Sequence, residues 1–355
     1  MVAEARDSIP VMRVRGPRLD YALPRLREID VTRVFSNFGP QEIELRERFS
    51  ELLGVPVGRI ATASNATIGL MGAVAVSGEK EWTIPSFTFP ASPASVLSLG
   101  LGLSFADIGE DWWLEKPAVT AGGVMAVAPF GATIEFERWE DVEVLVLDAA
   151  ASLGAPPPNW AKMKPEWAVV YSLHATKILG SGEGSVVVFG SEEKANQFHA
   201  WTNFGFSGSR EAVLVGVNGK MSELQAAYAH AALDGWAEEQ DDWLRARVYA
   251  LEVEKDLGLE GLPWSSKGVN PYWLVSFESE DMTLKVESEL ADSRIGTRRW
   301  WGFGCHTMPA FLEVPTGSLQ KTDDVAAKSL GLPMFRDLSE HEFERIRDVI
   351  SRVTE

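Results

Sequence analysis

The side chain with the clearest chemical prospects is Lys177, in the stretch "VVYSLHATKILGSGEGSVVVFG" at residues 169–190. Apolar, β-branched runs flank it. Ser172, His174 and Thr176 stand just before it, and Gly180, Gly182 and Gly184 just after, with Glu183 among them. A lysine in a loop between strands is ordinarily a solvated charge. A phosphate loop does not fit, because that pattern puts its lysine after the glycines and follows it with Ser or Thr. A third reading is an amine nucleophile, held by its neighbours and able to form a Schiff base with a carbonyl, and the rest of the chain decides among them.

Three other places carry chemistry that matches. Asp148 ends the apolar run "VEVLVLD". A carboxylate at the end of a buried strand needs a partner, since an unpaired buried charge is expensive. That partner is either the start of the next helix, capped by Asp148, or a cationic ring nitrogen such as that of pyridoxal phosphate, which a carboxylate keeps protonated. Ser64-Asn65-Ala66-Thr67 precedes the apolar segment "IGLMGAVAV". These are ordinary helix caps, and the same geometry offers backbone N–H groups and a positive dipole end to a phosphate monoester. Phe89, in "PSFTFP", suits either a core or the face of a flat ring.

Strand ends must bring these groups together. "EWTIPSFTFP", "GLSFADI", "GVMAVAPFG", "VEVLVLDAA", "WAVVYSLHA" and "GSVVVFG" read as successive strands. Their near-continuous apolar character predicts burial on both faces, as in a parallel-rich sheet covered by helices. In such sheets function collects at the carboxyl ends of the strands. Helical spacing marks 41–53, and residues 219–255 read as one long helical pattern leading into a smaller C-terminal domain. Ser339 and Glu342 form a capping box before the last helix. A large domain with its N-terminal segment is expected at 1–235, and a small one at 236–355.

Composition narrows the class. The net charge of −18 argues against a nucleic-acid binder, which would show a basic stripe. One cysteine, Cys305, rules out an intrachain disulfide, and five scattered histidines form no metal-ligand spacing, so no metal is expected. No apolar run is long enough to cross a bilayer, and "MVAEARDSIPVMRVRG" lacks the apolar core of a signal peptide. A cytoplasmic location without membrane partners is the expectation.

Amine, carboxylate, phosphate turn and stacking aromatic form one set. On these residues the chain resembles the DegT/DnrJ/EryC1/StrS family of pyridoxal-phosphate-dependent nucleotide-sugar aminotransferases. "ASNATIGL" looks like the family's phosphate turn, "IPSFTFPAS" its ring-stacking segment and "VLDAAASLGA" its aspartate motif. "YSLHATKILGSGEGSVVVF" looks like its lysine motif, "VNGKMSELQAA" the segment that reaches a neighbouring subunit, and "LGLPMF" the terminal motif. The likeness spans roughly residues 33 to 353.

The resemblance implies an α/β protein of fold type I, with a three-layer αβα large domain, a mostly parallel sheet and a smaller α+β C-terminal domain. It implies pyridoxal 5′-phosphate, with pyridoxamine phosphate formed during turnover. Lys177 would be catalytic. Asn65, Ala66, Thr67, Phe89, Asp148, Ala151 and Ser172 would bind cofactor, joined by Asn218 from the partner of a homodimer with shared sites. His174, Lys220, Arg299, Trp300 and His306 would meet substrate, with Arg298 and Trp301 beside them. Two departures stand out: Ala151 replaces the family's frequent Gln or His, and Lys220 replaces a forked arginine with a point charge. Lysine at 177 disfavours the dehydratase chemistry of relatives that carry His there. The implied reaction moves an amino group from L-glutamate to a nucleotide-linked keto-deoxysugar, at C4 of a dTDP-4-keto-6-deoxyhexose. Amination at C3, a cyclitol ketone, or a non-catalytic sensor are the alternatives.

Overall fold

A computed structural model describes residues 8–116, 122–262 and 268–354. Residues 1–7 of the N-terminal stretch considered above lie outside the described residues. After α1 (Leu19–Thr32) and α2 (Pro40–Leu53) come β1 (Ile60–Ala63), α3 (Ala66–Ser77), β2 (Glu81–Pro85), α4 (Ala91–Leu97) and β3 (Gly102–Ala106). There follow β4 (Gly123–Val127), β5 (Leu145–Asp148), β6 (Ala168–Ser172), β7 (Ser185–Phe189) and α5 (Glu192–Thr202). These seven strands form one sheet in the order β1-β7-β6-β5-β4-β2-β3. β7 is antiparallel to both its neighbours, and the other pairings are parallel. All strands except β7 therefore end at the same edge.

The apolar strands are explained by what lies on each side. Leu145 and Leu147 of β5 join α2 and the core beneath it, with Phe49, Trp139 and Trp167. Val146, between them, joins α3 and α5, with Leu70, Val74 and Phe198. Period-2 alternation thus feeds two cores, and neither face has a polar row. Close helix seating depends on Gly69: a Cβ there would lie 2.9 Å from a methyl of Val170 on β6.

The pattern over 219–255 is two helices. A complete capping box of Ser222 and Gln225 starts α6 (Glu223–Asp234), and Gly235 separates it from α7 (Trp236–Leu257). Gly235 ends one helix and begins the next with its backbone still in the right-handed region, φ −86° and ψ −6°. Next come β8 (Glu260–Gly261), β9 (Trp273–Ser276), α8 (Glu280–Asp292), α9 (Gln320–Lys328), β10 (Ser329–Leu332) and α10 (Glu340–Thr354). β8, β9 and β10 form a small antiparallel sheet, and Ser339 and Glu342 close the capping box ahead of α10. The core here includes Trp243, Trp273, Val286 and Ile346. Ile9 belongs to this second core and pairs with Ile295. Among the described residues no helix is long and apolar enough to cross a membrane, and no cluster of three metal-ligating side chains occurs.

Candidate active site

The shared edge of the sheet opens into a cavity of about 640 Å³. β1 delivers Asn65, Ala66 and Thr67, and β2 leads to Phe89. β5 delivers Asp148 and Ala151, and β6 delivers Ser172, His174 and Lys177. Trp300 and Trp301 close the side nearest the smaller unit. Ten of the residues anticipated from sequence thus face one space: Asn65, Ala66, Thr67, Phe89, Asp148, Ala151, Ser172, His174, Lys177 and Trp300.

The Lys177 turn continues the β6–β7 pairing. Leu173 N donates to Gly184 O at 2.9 Å and Ala175 N to Gly182 O at 2.9 Å. Lys177 N then donates to His174 O at 2.8 Å, which closes a tight turn. A Cβ at Gly180 would stand 2.5 Å from the Ala175 carbonyl oxygen, so that step admits only glycine without displacement. The next residue after the lysine, Ile178, is buried in the smaller unit's core. Lys177 is therefore fixed from both units. Its Nζ donates to the Tyr272 hydroxyl at 2.7 Å.

Asp148 is 6% exposed. Its Oδ2 accepts from Ser92 Oγ at 2.7 Å, and its Oδ1 from Ala150 N at 3.2 Å. Burial pushes its carboxyl above the usual carboxylate range; those two bonds and the charge of Lys177 pull it only part of the way back. Among the described residues no cation is in salt-bridge contact with it. A buried carboxylate with donors behind it and a cavity in front is a seat for a cationic group. Asn65 caps α3 by accepting from Ile68 N at 3.0 Å. The first turn of α3 then points N–H groups at the cavity, as an anion requires. Phe89 is 60% exposed and faces the cavity instead of a core. These donors and seats fit pyridoxal phosphate: an anion site, a flat apolar cover, a carboxylate for a ring nitrogen, and an amine.

Three substrate candidates, Arg299, His306 and Lys220, lie elsewhere. Arg299 turns away from the cavity: its Nε donates to Glu287 Oε2 at 3.1 Å and its Nη1 to Ala327 O at 2.9 Å. Arg298 takes the cavity wall, its guanidinium 4.8 Å from the Trp300 ring centre. His306 also lies behind the wall, bonded to Ser86 Oγ at 2.7 Å through Nδ1, with Nε2 3.4 Å from Asp323. Asn218 and Lys220 sit outside their own chain's cavity. Lys220 Nζ donates to Asn218 Oδ1 at 3.0 Å, and partial burial holds its amine below the ordinary lysine value.

The cavity residues not anticipated from the sequence include Met12, Phe130 and Tyr272. Phe130 has a left-handed backbone, φ 47°, a costly conformation for a bulky residue. Stacking on Trp301 at 3.9 Å and a bond from Asn270 Nδ2 to its carbonyl hold it there.

A family model described as the DegT/DnrJ/EryC1/StrS aminotransferase family matches residues 21–351. The chain belongs to this family. It is 28% identical over 360 residues to a dTDP-4-amino-4,6-dideoxy-D-glucose transaminase of Shigella dysenteriae, covering 95% of this chain and 96% of that one. A UDP-N-acetyl-3-dehydro-α-D-glucosamine 3-aminotransferase of Acidithiobacillus ferrooxidans is 23% identical, with 88% and 89% covered. The crystal structure of DesI with its TDP-sugar product superposes with a TM-score of 0.88 at 29% identity, covering 98% of this chain and 94% of that one. The protein is accordingly an enzyme, a pyridoxal-phosphate-dependent sugar aminotransferase with the fold-type I architecture.

Proposed function

We propose that this aminotransferase moves the amino group of L-glutamate to C4 of a dTDP-linked 4-keto-6-deoxyhexose, releasing 2-oxoglutarate. When bound, pyridoxal phosphate supplies the carbonyl that exchanges with amines and a ring that accepts electron density. The chain's own groups do the rest. Asp148 would keep the ring nitrogen protonated. Ser172 and the α3 N-terminus would hold the phosphate, and Phe89 would lie against the ring. Lys177 Nζ would hold the proton in transit between the two carbons that flank the transferred nitrogen. His174, hydrogen-bonded through Nδ1 to Thr176 Oγ1 at 2.9 Å, and Trp300 border the space left for the sugar.

The observation that carries the substrate class is the wall at Arg298. It places a guanidinium with no carboxylate partner among the described residues beside Trp300 and Trp301. Cation and aromatic faces together suit a sugar joined to a diphosphate. The C4 choice is supported by the Shigella relative's name. The test supplies 4-keto and 3-keto sugar nucleotides separately with glutamate and identifies the amino sugar by NMR. The expected result is turnover of the 4-keto compound, with KM for it about tenfold higher in Arg298→Ala and KM for glutamate unchanged. Exclusive use of the 3-keto compound rejects the regiochemistry. Acceptance of a free cyclitol ketone alone rejects the sugar nucleotide, and no turnover with any amine acceptor would favour a sensor.

The same reading makes the active unit a homodimer in which Asn218 serves the partner's site. Its side chain lies outside its own cavity, on a segment tied to the α3 turn by Ser64 N donating to Gly219 O at 2.8 Å. Exposed Phe204, Val213 and Val215 precede it. Mixed Lys177→Ala and Asn218→Ala chains are expected to form heterodimers with one intact site, and activity above either parent. Verified heterodimers with no recovered activity would return Asn218 to its own chain.

A further inference from the structure

We propose that Tyr272 is the positioning residue for the Lys177 amine, contributed by the smaller unit to a cavity wall where Ala151 offers only a methyl group. The proposal rests on Lys177 being the reacting amine. The contact is direct, Nζ to Oη at 2.7 Å, and among the described residues no carboxylate pairs with that nitrogen.

The tyrosine is held so that its hydroxyl has one place to be. Its backbone N donates to Asn270 Oδ1 at 3.0 Å. The same Asn270 side chain donates to the Phe130 carbonyl. The Tyr272 ring meets Phe130 edge to face at 5.5 Å and Trp300 at 5.0 Å. Only 7% of the residue is exposed.

A phenol suits this task better than the alternatives. It accepts a hydrogen bond from an ammonium group and donates one to a neutral amine. The contact therefore survives when Lys177 gains or loses a proton, which a proton carrier must do every turnover. A carboxylate in the same place would favour the charged form and hold the amine there. When Tyr272 accepts from Nζ, its own proton is left for a second acceptor in the cavity. An unheld lysine would spread over many rotamers, and aim is what positions a proton transfer.

Tyr272→Phe keeps the ring and removes only the hydroxyl. In the apoenzyme, the rate of pyridoxal phosphate capture at Lys177, read by borohydride trapping and peptide mass mapping, is expected to fall roughly 10- to 100-fold. In the loaded enzyme kcat should fall similarly, KM should stay within about threefold, and the visible band of the bound cofactor should change its pH profile. Near-ultraviolet circular dichroism should match wild type. Tyr272→Leu, which also removes the ring, should alter that dichroism and serves as the packing control. Capture by Tyr272→Phe within about twofold of wild type, or slowed only together with lost dichroism, would falsify the proposal. Labelling of wild type on another lysine would overturn the amine assignment as well, and so separates the two failures.

Discussion

Replacing Lys177 with alanine is expected to leave a folded protein whose turnover is lower by at least about 10⁴-fold, the upper end of what a positioned acid–base group contributes. The size follows from the two tasks that meet at Nζ: attachment of the cofactor and proton transfer. No neighbour stands ready to take either. His174 is bonded to Thr176, and the Tyr272 hydroxyl faces the amine itself. The fold should persist because the turn is held by backbone bonds at Leu173, Ala175 and Gly180, none of which needs the lysine side chain. Purified wild type should be yellow, and borohydride should fix the chromophore to the peptide containing Lys177. Finding the reduced cofactor on a different lysine, or keeping a wild-type rate in Lys177→Ala, would remove the residue from its role.

Lys177 and Asp148 were legible because Asp148 ends an apolar strand and Lys177 lies in the short turn after another, and a polar group at such a place needs a reason. The sheet was legible because β5, β6 and β7 bury both faces and so read as unbroken apolar runs. What could not be read depends on direction and distance. Arg298 and Arg299 are neighbours of one type, and residue 298 pairs with Gly331 in an extended bridge. Successive side chains in extended backbone point to opposite sides, so one arginine meets the cavity and the other meets Glu287. Which is which depends on the register of that bridge, and nothing at 298–306 states it. Tyr272 lies 95 residues from the lysine it touches. His306 lies 220 residues from Ser86, the hydroxyl that draws it behind the wall. The split of the helical pattern at Gly235 is different: the glycine was visible, but a single glycine inside a helical pattern is often tolerated.

Asp148→Asn is expected to lower kcat by about 10²- to 10³-fold, as when one preorganised electrostatic group is removed from an active site. The same change should stabilise the apoenzyme. The carboxylate is buried, satisfied from behind by Ser92 and Ala150, and open to the cavity in front. An amide fits this shell, because Ser92 can accept from it and turn its own proton to Thr88, whose Oγ1 is 2.9 Å away. The sign of the pH dependence follows from burial, which raises the folded-state value of Asp148 above its unfolded value. A raised carboxyl contributes stability that is fully present below the unfolded value, near about 4, and is lost as pH rises through the folded one. Above the unfolded value the buried carboxyl of the apoenzyme therefore carries a cost that the neutral amide of the variant lacks. Thermal melts of the apoproteins near pH 8 should favour Asp148→Asn by about 1 kcal/mol, and the gap should narrow as pH falls. Pyridoxal phosphate should reverse the order, because its protonated ring nitrogen gives the wild-type carboxylate the cation it lacks, and tighter binding to the native state raises stability. Equal stabilisation of both proteins by the cofactor, or an apo mutant less stable than wild type across this pH range, would mean that Asp148 is a structural cap and not the partner of the ring.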